Sequence, residues 1–125
     1  MWRFVAGLVL AFGLTPSVQA VAGKPLSAYS RETWTTRNGL PHNQVNAVAQ
    51  TPDGYLWFAT WEGLVRYNGQ DFRVLDPDNT PALKDHGIRQ VSVGPNGRMV
   101  VATSRGGVSV REHGTWRHFG KTEGL

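Results

Sequence analysis

Apolar and polar positions between residues 44 and 121 fall into short runs separated by turn residues. The runs span residues 44–50, 55–60, 64–68, 71–75, 88–93, 98–103, 107–111 and 115–119. β-Branched and aromatic residues are frequent in these runs, and no window of a dozen residues keeps the spacing of an amphipathic helix. The pattern therefore predicts eight short β-strands.

The first four runs and the last four are copies of one unit. Between residues 45 and 65, seven of twenty-one positions are identical to those 43 residues later. Beyond Gly106 the alignment requires a two-residue insertion, which places Arg66 on Arg111. Residues 37–40 are also similar in sequence to residues 122–125. Four strands in a repeat of about 43 residues are typical of a β-propeller blade.

The turn residues and the second strands support a blade. Residues 52–54 (PDG) and 95–97 (PNG) predict tight turns, because Gly accepts a positive φ and Asp or Asn can bond the local backbone. The second strands, YLWFAT and RMVVAT, are apolar or bulky at nearly every position, so we expect both of their faces to be buried. One face is predicted to carry Leu56 and Phe58, and the other Tyr55, Trp57 and Ala59.

Residues 29–35 (YSRETWT) resemble an outermost strand, and such a strand is expected to latch a ring by completing its last blade. The predicted fold class is all-β: two four-stranded antiparallel propeller blades and an N-terminal latch strand. The blades cover about 39–80 and 83–121 within a partial propeller domain of residues 29–125. Propellers typically have four to eight blades, so we interpret the chain as the N-terminal piece of a longer protein or a truncated reading frame.

Residues 1–22 have the order of a secretory signal peptide. Arg3 precedes an apolar stretch over residues 4–14, and small-x-small cleavage sites end at Ala20 and Ala22. We expect a signal-peptide helix and an exported protein; the alternative is an uncleaved anchor or a buried N-terminal helix.

Composition and charge narrow the function classes. The formal net charge is +4 at pH 7, but the basic residues are scattered singly, and this argues against nucleic-acid binding. The chain has no cysteine, so disulfides, thiolate metal sites and thiol nucleophiles are excluded. Its four histidines lack metal-ligand spacing, and we predict no catalytic residue, metal or cofactor.

Ligand contacts on propellers usually come from loops at one mouth of the ring. The candidates from equivalent loops of the two copies are His42, Asn43, Trp61, Glu62, Ser104 and Arg105. Trp61 is the most suggestive, because an exposed indole often stacks on a ligand. The alternative is that it packs over the neighbouring blade.

Residues 39–72 closely resemble the two-component-regulator propeller repeat. The family pattern begins with Gly-Leu-Pro, continues through Asp-Gly-x-Leu-Trp, and ends with Gly-Leu followed by Tyr-x-Gly. It is met by Gly39, Leu40, Pro41, Val45, Val48, Asp53, Gly54, Leu56, Trp57, Phe58, Thr60, Gly63, Leu64, Tyr67 and Gly69. The second copy is degenerate, with Val100 in place of the Trp, but it keeps the turns.

The resemblance implies an exported sensor propeller in the periplasm, tethered to the inner membrane in its full-length parent. Such propellers are linked by a transmembrane helix to a histidine kinase or a diguanylate cyclase, and the repeat looks more like the cyclase type. The expected partners are further blades, an unknown small-molecule or glycan ligand, and a second full-length sensor. Two alternatives remain: a fragment of an exported propeller lyase or hydrolase, and a non-functional truncated propeller.

Overall fold

A computed structural model describes residues 23–125. The predicted signal peptide, residues 1–22, lies outside the described residues. The chain divides into two compact units, Met1–Glu32 and Thr33–Leu125. In the first unit, the described residues contain a 3-10 turn at Leu26–Ala28. Within residues 23–125 no helix has the length and apolar character needed to cross a membrane.

The second unit contains eight strands arranged in two four-stranded antiparallel sheets. The first sheet is β1 (Val45–Gln50), β2 (Leu56–Thr60), β3 (Gly63–Tyr67) and β4 (Phe72–Leu75). The second sheet is β5 (Ile88–Val93), β6 (Met99–Thr103), β7 (Val108–Glu112) and β8 (Thr115–Phe119). In each sheet the strands lie side by side in chain order, which is the meander of a propeller blade. The all-β prediction and the two four-stranded blades are confirmed.

The segments that recur in both copies build the same turns. Gly54 and Gly97 have φ of 91° and 80°, the left-handed region that the turn prediction assigned to them. The Thr60 hydroxyl donates to the carbonyl of Gly63 at 2.8 Å, and the Thr103 hydroxyl donates to that of Gly107 at 3.0 Å. The shared Ala-Thr pair is thus explained, because its Thr closes the turn into the third strand of each sheet.

A core lies between the two sheets. Its buried members are Trp57, Ala59, Leu64, Leu83, Ile88, Val91, Met99 and Val101. Alternate side chains of a strand point to opposite faces, so Trp57 and Ala59 of β2 face the second sheet together. Met99 and Val101 of β6 face the first sheet and meet them there. Burial of large apolar side chains contributes roughly 1.5–3 kcal/mol each.

The opposite face of the first sheet carries a second core. Phe58 and Val65 pack there with Leu40, and Trp34 and Phe72 lie against them. The Trp34 ring meets Phe58 and Phe72 edge-on, with centroids 5.9 Å and 5.6 Å away. The predicted division of β2 into two faces is therefore confirmed, since Phe58 and Trp57 belong to different cores.

The predicted latch strand stays a prediction, because residues 23–125 do not include the last blade that it is expected to complete. Residues 29–35 form no strand, and within residues 23–125 no neighbouring strand pairs with them. Thr35 is extended, with φ of −135°, but its backbone N–H bonds the side chain of Asn38 at 2.9 Å. A strand needs ladder hydrogen bonds from a partner. Trp34 instead packs across the first sheet.

The insertion between the copies is one residue and not two. In the first sheet Leu56 pairs with Tyr67, and at the same place in the second sheet Met99 pairs with Arg111. Arg111 therefore corresponds to Tyr67. The sequence alignment, which paired Arg111 with Arg66, was wrong at this position. The extra residue lies in the turn between β6 and β7. Too few residues are identical there for a sequence alignment to position the insertion.

Candidate functional site

The predicted mouth residues lie along one edge of the two sheets. Antiparallel pairing brings the start of β1 beside the end of β2, where Val45 pairs with Thr60, and Ile88 pairs with Thr103 in the second sheet. The candidate loops precede β1 and connect β2 to β3 and β6 to β7. The structure thus gathers His42, Asn43, Trp61, Glu62, Ser104 and Arg105 at this edge.

Trp61 packs against the second sheet. A Cβ added at Gly87 would lie 3.3 Å from the indole Cε3 and 3.2 Å from the Cβ of Ser104. Gly87 is buried and Trp61 is half-buried. The ring therefore covers the backbone that leads into β5, as the packing alternative for this residue expects.

His42 and Asn43 hold the loop that enters β1. The Nδ1 of His42 accepts the backbone N–H of Gln44 at 3.0 Å. The Oδ1 of Asn43 accepts the backbone N–H of Thr36 at 2.8 Å. That bond fixes the 3-10 turn Thr36–Asn38 beside the mouth edge. Both side chains therefore have local structural partners.

Arg105 and Glu62 present exposed side chains of opposite charge at the mouth edge. The backbone beneath Arg105 is held by Asp85, a residue that sequence reasoning did not assign to the site. The Asp85 carboxylate accepts the N–H of Arg105 at 2.8 Å and the N–H of Gly87 at 3.2 Å. Only the fold brings these two backbone groups to one side chain, because they belong to loops separated by two strands.

Arg105 also borders a cavity of about 400 Å³ that His118, Gly120 and Lys121 help to line. Gly120 precedes a 3-10 turn, Lys121–Glu123, and its N–H donates to the Glu123 carboxylate at 2.7 Å. That hydrogen bond, helped by one from Thr122, lowers the pKa of the Glu123 carboxyl below its ordinary value. Arg105 and Lys121 thus give the cavity a cationic rim.

Asp76, Asp78 and His86 place one potential metal-ligand atom each within 4.8 Å of one another. The Asp76 carboxylate already accepts the N–H groups of Asp78 and Asn79, at 2.9 Å and 3.2 Å. These bonds make a turn after β4 and account for the position of Asp76 without a cation. No sequence motif indicates this grouping, because His86 reaches it only through folding of the linker between the sheets.

The family model described as "Two component regulator propeller" matches residues 39–62. No curated protein matches the chain. Eleven chains of known structure match it. One is the extracellular domain of a hybrid two component system from B. thetaiotaomicron, with a TM-score of 0.67 and 23% identity. The alignment covers 78% of this chain and 14% of that one, so this chain spans a small part of its neighbour's length.

Proposed function

The chain carries a two component regulator propeller repeat, and from this we propose that it is the signal-sensing propeller module of a bacterial transmembrane signalling protein. The observation that carries the proposal is the family match over residues 39–62, in a fold shared with the extracellular domain of a hybrid two component system. The module is exported and works in the periplasm. We assign no catalytic residue, metal or cofactor to residues 23–125.

Further blades of a longer chain are its first partners. Val100 and Ala102 of β6 correspond to Trp57 and Ala59, which are buried against a neighbouring sheet, yet both are only partly buried. Leu125 stands two repeats after the buried Leu40, and it is 65% exposed. The face of the second sheet that bears Val100 and Ala102 thus corresponds to the covered face of the first sheet, and it is suited to pack against another blade.

The signal is a small molecule or a glycan bound at the mouth, and the output is a diguanylate cyclase or, as second choice, a histidine kinase. The exposed side chains of Glu62 and Arg105 are the direct contacts, while Trp61, His42 and Asn43 hold the loops that present them. The full-length sensor dimerises, so that binding outside the membrane reaches paired output domains.

The signalling role is tested on the natural gene with its downstream sequence. Cellular cyclic di-GMP and autophosphorylation are measured for the wild type, Glu62→Ala, Arg105→Ala and a control, Gln50→Ala. Gln50 is exposed and lies at the opposite end of β1 from the mouth. The mouth variants should change one of the two outputs and the control neither. If no variant changes either output, or if Gln50→Ala acts like the mouth variants, the sensor proposal is wrong.

A further inference from the structure

Two arginines of the first sheet point toward the second sheet. Arg66 of β3 pairs with Trp57 of β2 and with Arg73 of β4. Directly paired residues of an antiparallel sheet project to the same face. Because Trp57 lies in the core between the sheets, both arginines share that side.

A third arginine enters the same space from the second sheet. Arg111 of β7 pairs with Met99 and with Trp116, and Met99 is buried in the core between the sheets. The one-residue insertion decides this orientation. If Arg111 were the equivalent of Arg66, it would point to the far side of the second sheet.

The three side chains line a cavity of about 320 Å³ between the sheets, which we call the arginine groove. Trp57 and Trp116 also line it, and the linker from Asn79 to Ala82 contributes to its wall. This volume is at the lower end of the range for small-molecule sites. Since both sheets of the described chain supply its walls, the groove is complete without a further blade.

The positive charge in the arginine groove is not balanced by the described residues. No Asp or Glu among them lines it. The ion pair found within residues 23–125 joins Arg98 and Glu112, with 3.5 Å between Nε and Oε1. Arg66 and Arg73 stand directly opposite each other on β3 and β4. Like charges in such a pair destabilise a sheet. Arg111 adds a third charge to the same cavity.

Aromatic rings hold two of the guanidinium groups in place. The Cζ of Arg66 lies 4.7 Å from the centre of the Tyr55 ring and 5.9 Å from that of Trp57. The Cζ of Arg111 lies 5.4 Å from the Trp57 ring centre. All three contacts fall within cation–π range. Guanidinium groups fixed in this way lose little freedom when they bind an oxyanion through paired N–H groups.

We propose that the arginine groove binds an oxyanion, a carboxylate or sulfate group, carried by an acidic saccharide or present as a free anion. The guanidinium groups bind the oxyanion, and the half-buried ring of Trp116 meets the remainder of a sugar. The groove lies between the sheets and not at the mouth edge. Its binding therefore stands apart from the signalling role and is measured independently of any output.

The test is calorimetric titration of the purified full chain at low ionic strength. The probes are sodium sulfate, trigalacturonate and, as the uncharged control, trigalactose. The variants are Arg73→Gln, Arg66→Gln and Arg111→Gln, with Arg89→Gln as the matched control because Arg89 is an exposed strand residue outside the groove. Each groove variant should weaken binding of the charged probe about tenfold or more, because it removes a charge-assisted hydrogen bond to the oxyanion. Arg89→Gln should leave binding unchanged.

Tighter binding of trigalacturonate than of sulfate supports an acidic saccharide, and equal binding supports a free oxyanion. Arg66→Gln and Arg111→Gln also remove ring contacts, so circular dichroism checks their folding. Arg73 is exposed, so Arg73→Gln tests oxyanion binding even if the other two variants unfold. Binding of neither charged probe, equal binding of trigalactose, or full affinity in Arg73→Gln would each overturn the proposal.

Discussion

The side-chain amide of Asn46 donates a hydrogen bond of 2.8 Å to the main-chain carbonyl of Ile88. The bond joins β1 of the first sheet to β5 of the second, at the innermost strands. It is directional, unlike the apolar contacts around it, and so it fixes how one sheet is placed along the other.

Loss of this bond should weaken the contact between the sheets. Asn46→Ala should lower the free energy of unfolding by about 0.5–1.5 kcal/mol, the usual net value of one hydrogen bond. Urea denaturation of the purified chain measures it. Arg89 stands 43 residues later, at the same repeat position, and is exposed; Arg89→Ala should change stability by less than about 0.5 kcal/mol. Equal effects of the two substitutions would contradict a specific role for Asn46.

The repeat also supplies a matched pair of leucines. Leu83 is 0% exposed in the core between the sheets, whereas Leu125 is 65% exposed. Leu83→Ala should cost about 2–5 kcal/mol, because it leaves a cavity among packed side chains. Leu125→Ala should cost less than about 0.5 kcal/mol in the same denaturation experiment. A small effect of Leu83→Ala would show that the sheets are not packed as described.

Two glycines with nearly the same backbone conformation have different surroundings. Gly107 has φ of 84° and Gly114 has φ of 78°. A Cβ at Gly107 would fall against the carbonyl oxygen of Phe119, while at Gly114 it would meet nothing within 4 Å. Gly114→Ala should cost about 1–2 kcal/mol from its left-handed backbone alone. Gly107→Ala should cost a further 1–3 kcal/mol or so, because β8 must move. Thermal unfolding of both variants measures the two losses of stability. Equal losses would show that the packing around Gly107 is wrong.

Glu123 gives a pH dependence with a defined sign. The Gly120 N–H favours the ionised carboxylate, so the pKa of Glu123 is lower in the folded chain than the ordinary 4.5. Its contribution to stability is present above the unfolded-state pKa and is lost as the pH falls through the folded one. Carboxyl-carbon NMR should find a pKa below 4.5 in the folded chain and near the ordinary value in urea. Titration at the ordinary value in the folded chain would contradict the Gly120 bond.

Much of the fold could be predicted because its signals are local. Alternation along β2 separates Trp57 from Phe58, and the positive φ of Gly54 follows from turn chemistry. All eight strands lie where the runs of apolar residues predicted them. These features depend on residues near one another in the chain, and the sequence displays such residues directly.

The remaining features depend on pairing between distant residues. The position of the insertion is set by the ladder between β6 and β7, and it decides the direction in which Arg111 points. The bond from Asn46 to Ile88 and the Asp85 carboxylate join loops or strands with no shared pattern. The predicted latch strand stays a prediction, because an extended segment such as that around Thr35 becomes a strand only with a partner, and the described residues do not supply the blade that it would complete.

The two faces of each sheet are unlike, and this has a consequence for assembly. The side of the first sheet that bears Trp57 meets the side of the second that bears Met99, so the contact is head-to-tail. A head-to-tail contact can recur without limit, and growth ends only when successive rotations close a ring. The number of blades is then a property of the angle between neighbours, and an assembly that misses closure elongates into a fibre.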